Sequence, residues 1–330
     1  MTPVELSRIV LHAVRRAVVE GELSVEVPED VVVEVPGPGG CGDYATNVAL
    51  QLARPAHQPP LRVAEILRSR LAAAPGVARV DVTGPGFLNI SLDTGTRTAA
   101  ARALVGRIRA QGHAYGHSDT LAGQVVELRV PYEVRAEVVA DALVRIVGSQ
   151  GGRVEIGHGE PVNLRPVPSP EDPAPLGADA ARWALLYPAP HDRPRITADH
   201  LVQREANPLF RVRYAHSRTR ALLRNAARLG YTPDSELPGT DTGGADGLVA
   251  ALTAHPRVLA ASATDRAPHR LARHLVTLAD AVLALAPTVL PFGDEKPSAA
   301  HRDRLALADA AGTVLAGGLS LLGIDAPDHL

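Results

Sequence analysis

The chain has 330 residues, enough for two or three domains each with its own core, and its 45% hydrophobic and 21% charged content is ordinary for a globular protein. A net charge of −2 does not mark the whole chain as a nucleic-acid binder, and the single cysteine, Cys41, excludes an intramolecular disulfide or a cysteine-based zinc cage. No apolar run is read as reaching the roughly 20 residues of a membrane span, and no signal peptide opens the chain, so a cytoplasmic protein that engages no membrane is expected.

Residues 3–20 carry apolar positions at helical spacing (Val4, Ile9, Leu11, Val14, Val18) and predict an amphipathic helix. The β-branched "VVVEV" at 31–35 predicts a strand, and "YATNVALQLA" (44–53) and "PLRVAEILRSRLAA" (60–73) predict helices. "VARVDVTGPGFLNISL" (77–92) predicts two strands about a Gly-Pro-Gly turn. An α+β domain over 1–118 follows from these elements. A strand–helix–strand unit occupies 119–159, with strands at 124–130 and 153–159 flanking a helix at 136–150. The segment 160–175 holds six prolines and reads as a linker. From 176 to 330 helices are predicted near 176–187, 208–230, 246–262, 266–286 and 300–322, an all-α bundle.

Charge is uneven along this plan. Residues 1–60 hold eight acids against four arginines, a balance of −4, whereas residues 201–230 hold seven arginines against Glu205 alone, a balance of +6. Asn207 is a good N-cap with Pro208 at the first helical position. In the helix that follows, Val212, Ala215, Thr219, Leu222, Leu223, Ala226 and Leu229 share one face, and Arg213, Arg220, Arg224 and Arg228 cluster opposite. Such an arginine face is either simply solvated or a set of phosphate contacts. His216 lies at its margin, either a boundary histidine or an RNA contact.

Other motifs carry little. "GPGGCG" (37–42) fits G-x-G-x-x-G, but no second parallel strand with an acidic residue follows, so no dinucleotide site and no cofactor is expected. The histidines are scattered without an i,i+4 pair beside a carboxylate, so no metal is expected.

Three blocks taken together resemble arginyl-tRNA synthetase. "GDYATNVALQLA" (42–53) with "GPGFLNISL" (84–92) is similar to that family's N-terminal additional domain. "LGADAARWALL" (176–186) is similar to its segment leading into the bundle. "NPLFRVRYAHSRTRALLRNA" (207–226), together with the ending "AGGLSLLGIDAPDHL", is similar to its DALR-type anticodon-binding domain. The resemblance implies that Phe87 and Asn89 grip a D-loop base of tRNA, one by stacking and one through its amide. It also implies that Arg211, Arg213, His216, Arg218, Arg220 and Arg224 meet the anticodon arm while Tyr214 stacks on an anticodon base.

Between these blocks the family carries a class I catalytic domain, and here only some 85 residues separate Asn89 from Pro175. Of that domain, the strand–helix–strand unit at 119–159 resembles the opening β-α-β of its Rossmann core, which implies a truncated catalytic-domain remnant. The family's His-x-Gly-His loop falls where this chain reads "PYEVR" (131–135), without histidine or glycine. "GRVEIGHGE" (152–160) has Glu155 in place of the first histidine and follows the helix instead of opening it, so His158 reads as a turn residue. Lys-Met-Ser-Lys cannot be written with one lysine, Lys296, and one methionine, Met1. Adenylate formation needs cations and donors on the transferring phosphates, so the expectation is a protein without ligase activity, with no catalytic residues. It would bind tRNA, arginine tRNA above all. The alternatives are an interaction module partnering a synthetase or an arginyl-tRNA-dependent transferase, or a residual ligase whose pocket a partner chain completes.

Overall fold

In the computed structural model the described residues are 1, 3–37, 40–233 and 244–330. They form two units, residues 1–102 and residues 103–330. Two residues of the "GPGGCG" motif, Pro38 and Gly39, lie outside the described residues.

In the first unit, α1 (Pro3–Val19) buries Leu6, Val10, Val14 and Ala17, one residue per turn, as an amphipathic helix must. β1 (Tyr44–Thr46), β2 (Val77–Thr83) and β3 (Phe87–Leu92) make an antiparallel sheet in the order β1-β3-β2. The β2–β3 hairpin closes on the pair Thr83 and Phe87, and Gly86 turns it at a φ of 140° that side chains rarely adopt. Val80, Leu88, Ile90 and Leu92 join α1, α2 (Val48–Ala53) and α3 (Pro60–Ala72) in one core.

Two sequence expectations change here. "VVVEV" is not a strand: Glu34 alone bridges to Ala45, and Val32 and Val35 are exposed. Residues 44–53 are not one helix, because Tyr44, Ala45 and Thr46 pair with Ile90, Asn89 and Leu88 before α2 begins. Strand against helix was decided by a partner more than 40 residues away, a contact that local pattern does not carry. The helix α4 (Thr94–Gln111) was not anticipated, since its buried apolar residues Leu104, Val105 and Ile108 gather in its C-terminal half.

In the second unit, β4 (Val125–Val130) and β5 (Arg153–His158) pair in parallel around α5 (Val134–Gly148). Leu128 and Val130 face α5, whose Ala140, Leu143, Ile146 and Val147 continue into the core of a helical bundle. That bundle comprises α6 (Gly177–Leu186), α7 (Pro208–Arg228), α8 (Asp246–Thr264), α9 (Pro268–Leu285) and α10 (Ala299–Leu322). Glycine permits close packing of two of these helices: a Cβ on Gly312 of α10 would collide with Thr219 Oγ1 of α7.

Residues 268–288 and 299–322 are in fact long and apolar enough, by length and composition, to cross a membrane, with mean hydropathy 1.2 and 1.7. Their apolar sides are turned into the bundle, where 50% and 78% of those windows are buried. A core helix and a membrane span share a composition, and packing distinguishes them.

The proline-rich stretch 160–175 lacks regular structure until a 3-10 turn begins at Ala174, yet it is held along its length. Asn163 pairs with β4, Leu164 is buried, and the Ser169 N–H donates to Glu133. Its main fastening is Arg135, 1% exposed in the first turn of α5. All five N–H groups of that guanidinium donate to main-chain carbonyls, those of Leu185 (3.0 Å), Val167 (2.7 Å), Asp192 (2.8 Å), Pro188 (3.1 Å) and Ala189 (2.9 Å). The "PYEVR" segment is therefore a structural knot. Glu133 caps α5 through the Ala136 N–H, and Arg135 ties two irregular segments to the helix.

Candidate nucleic-acid interface

α7 begins as its sequence dictates, with Asn207 Oδ1 accepting from the N–H groups of Leu209 and Phe210 and Pro208 in the first turn. Val212, Ala215, Thr219, Leu222 and Ala226 are buried, while Leu229 is exposed. Tyr214 is 41% exposed, its ring stacked on Phe210 with centroids 5.5 Å apart. The pair offers a flat aromatic surface beside the arginines.

Those arginines are not a bare cationic stripe. Arg211 meets Asp280 of α9 at 3.0 Å, Arg213 meets Asp179 at 3.0 Å and Asp325 at 3.9 Å, and Arg220 meets Asp328 at 3.1 Å. Arg224 lies 3.4 Å from His329. Among the described residues Arg218 has no ion pair. The acids at 325 and 328 belong to the C-terminal tail, which leaves α10 through Gly323 in the left-handed conformation and lies along α7.

His216 is the tail's inner fastening. It is 4% exposed, and its Nδ1 donates to the Pro327 carbonyl at 3.1 Å while Ser217 donates to the Asp328 carbonyl. Burial holds its imidazole below the ordinary histidine range. Of the two readings open for His216, the structure places it as a packed boundary residue and not on the surface.

Phe87 and Asn89 sit two apart on β3 and so on one face of the first unit's sheet. Phe87 is 41% exposed. Asn89 is 1% exposed, and its amide donates to Thr83 Oγ1 at 2.7 Å. The stacking group is thus on the surface and the amide is buried, with one N–H bonded to Thr83. His158 is not in a turn: it ends β5 opposite Val130, stacks on Tyr132 at 4.6 Å and lies 2.5 Å from Glu137.

The sequence reading missed a cavity of about 1150 Å³ in the second unit, beside the start of α7. Trp183 and Tyr187, stacked at 5.3 Å, form its aromatic wall, and Arg273 lies 5.9 Å over the Tyr187 ring. Arg193, Arg195 and Arg204 line it and have no ion pair among the described residues. The "RPR" at 193–195 was the available signal. A smaller space of about 320 Å³ joins Phe210 and Arg213 to Leu330.

Comparison with known proteins matches both ends of the chain. The family model described as "Arginyl tRNA synthetase N terminal domain" matches residues 5–92, and that described as "DALR anticodon binding domain" matches residues 212–330. An arginine–tRNA ligase of Renibacterium salmoninarum is 44% identical over 47% of this chain and 30% of its own length. One of Frankia alni is 42% identical over 46% of this chain and 28% of its own. The chain therefore spans under a third of the length of these curated relatives. Among solved structures, arginyl-tRNA synthetase of Thermus thermophilus aligns over 100% of both chains with a TM-score of 0.64 at 14% identity. That of Plasmodium falciparum aligns over 99% of both with 0.68 at 8% identity. At such identities these two show the fold, an α+β arrangement with a helical C-terminal region.

These findings correct one expectation. The missing His-x-Gly-His and Lys-Met-Ser-Lys motifs suggested a protein that is not an enzyme, but the relatives it matches are named as ligases. A match to so small a part of an enzyme need not include its motifs, so their absence does not argue against activity.

Proposed function

We propose, for a chain that carries the N-terminal domain and the DALR anticodon-binding domain of arginyl-tRNA synthetases, that it binds tRNA, with arginine tRNA preferred. The observation that carries this is the anticodon-binding match over 212–330, coincident with the face of α7 that presents Tyr214 beside its arginines. A loop base stacks on the Tyr214–Phe210 pair, and Arg218, Arg220 and Arg224 take the flanking phosphates. Arg211 and Arg213 join them by exchanging a carboxylate for a phosphate. The Arg211–Asp280 pair has its carboxylate at the surface, so that exchange costs on the order of 1 kcal/mol, whereas the half-buried Arg213–Asp179 pair gives up its carboxylate less readily. Phe87 supplies a second stacking surface in the first unit.

Titrating the full chain with arginine tRNA and a panel of other tRNAs in a native gel tests this. Affinity should fall steeply with salt, with a slope of about −0.7 to −0.9 per phosphate engaged. Tyr214→Ala should weaken binding by the about 1–3 kcal/mol of one stacked base. No complex with any tRNA at about 50 mM salt overturns the proposal.

A further inference from the structure

β4 and β5 form a two-stranded parallel sheet whose outer edges end differently. The chain itself closes the β4 edge. Asn163 Oδ1 accepts from the Arg129 N–H at 2.8 Å, its amide donates to the Glu127 carbonyl at 3.0 Å, and the Asn163 and Leu164 N–H groups donate to the Arg129 carbonyl. The β5 edge has no such cover: among the described residues its strand ladder runs to β4 alone, and every residue of it except Val154 is exposed. The Arg153 N–H donates inward to the Gln124 carbonyl at 3.0 Å. By strand alternation the main-chain groups of 153, 155 and 157 face β4, and those of Val154, Ile156 and His158 face out.

An open edge is a template for another strand, and parallel sheets are usually covered on both sides. The residues of β5 favour one occupant, a second copy of the same strand. In antiparallel self-pairing about a two-fold axis normal to the sheet, the register must centre on one residue. Centring on Arg153 sets arginine against arginine, centring on Glu155 sets glutamate against glutamate, and centring on Ile156 leaves both charges unmatched. Centring on Val154 places each Arg153 opposite the second copy's Glu155, with Val154 against Val154. This register also uses the outward-facing groups of Val154 for its hydrogen-bonded pair. The two charge pairs then fall at the non-hydrogen-bonded positions, where opposing side chains stand closest. Both side chains are free to swing, being 71% and 53% exposed and, among the described residues, paired only with each other. Ile156, 42% exposed on the α5 side of the edge, gains cover in the same step.

The geometry points to a homodimer joined edge to edge through β5, a four-stranded sheet in the order β4-β5-β5-β4 with both α5 helices on one face. Sedimentation velocity of the full chain at about 1–100 μM in low salt should show a concentration-dependent dimer. Val154→Pro removes an outward N–H without touching the β4–β5 ladder and should abolish the dimer while keeping the circular dichroism and lowering the melting temperature only by the lost packing of one half-buried side chain. Arg153→Glu and Glu155→Arg should each weaken association at least roughly tenfold. An equimolar mixture of those two variants should restore it, because both charge pairs are again complementary. A chain that stays monomeric at about 100 μM in low salt overturns the proposal. A dimer that Val154→Pro and both reversals leave intact also overturns it, since it uses another surface.

Discussion

The arginines of α7 and the arginine of α5 face opposite environments. Arg211, Arg213 and Arg220 are at least partly exposed, and each leans on a carboxylate of another segment. Arg135 is buried and, among the described residues, meets no carboxylate within ion-pair distance, its five donors spent on five carbonyls. A surface cation held by a carboxylate can trade it for another anion, because water has already screened most of the energy. A buried cation satisfied by main-chain dipoles has nothing to trade. It sets the positions of the segments that hold it, and burial pulls its pKa below the usual arginine value, though it stays charged.

The largest effect should come from breaking the buried side of that contrast. Arg135→Met keeps the volume but strips donors from five carbonyls in residues 167–192; Ala189 keeps the Asp192 N–H, and each carbonyl left unmet is worth about 1–3 kcal/mol. The expected loss is at least about 4 kcal/mol, which for a unit of this size lowers Tm by roughly 10 °C in calorimetry. Arg135→Lys should recover little, since an ammonium has three donors at one point and cannot span five acceptors. A variant melting like the parent would show that the carbonyls find water and that the knot is not needed.

Buried bases reach the opposite solution when no acceptors surround them. His255 and His274 lie 5.4 Å apart, ring centre to ring centre, in the bundle, with His255 Nδ1 and His274 Nε2 unpartnered among the described residues. Burial, reinforced by the neighbouring imidazoles, holds His255 down at about 3, and burial holds His274 at about 4. Both therefore stay neutral in the fold and bind protons more readily when it opens, so stability is full above pH 6.5 and declines as pH falls below it. At pH 5.5 the loss should be about 1.4 kcal/mol for each histidine, read as a falling denaturation midpoint. His255→Phe with His274→Phe should flatten that dependence. A dependence that survives the double variant would place the titration elsewhere.

How much of this was legible follows from what each element depends on. The bundle helices were readable because cap, amphipathic face and end are local: Asn207 and Pro208 start α7, and its buried residues recur at helical spacing. The strand at Tyr44–Thr46 was not, because its pairing partner is β3. Arg135 could not be found either. An arginine in a first helical turn reads as solvated, and nothing nearby announces that carbonyls from 167 to 192 converge on it. The α7 arginines were seen as a face, but their neutralisation was hidden, since Asp325 and Asp328 follow them by more than 100 residues.

The smallest predicted change in stability tests the exchangeable side of the comparison. Asp325→Ala with Asp328→Ala removes two acids from the tail but not its anchorage, because His216 and Ser217 hold the Pro327 and Asp328 carbonyls. Unfolding free energy should change by less than about 1 kcal/mol, the worth of two exposed pairs. Affinity for tRNA should rise a few-fold, roughly 3 to 10, with a steeper salt dependence as Arg220 gains freedom to meet phosphates, while Arg213 stays with Asp179. Should the double variant lose several kcal/mol instead, these pairs are structural in the manner of Arg135, and the arginines of α7 are fixed parts of the fold with no anion to exchange.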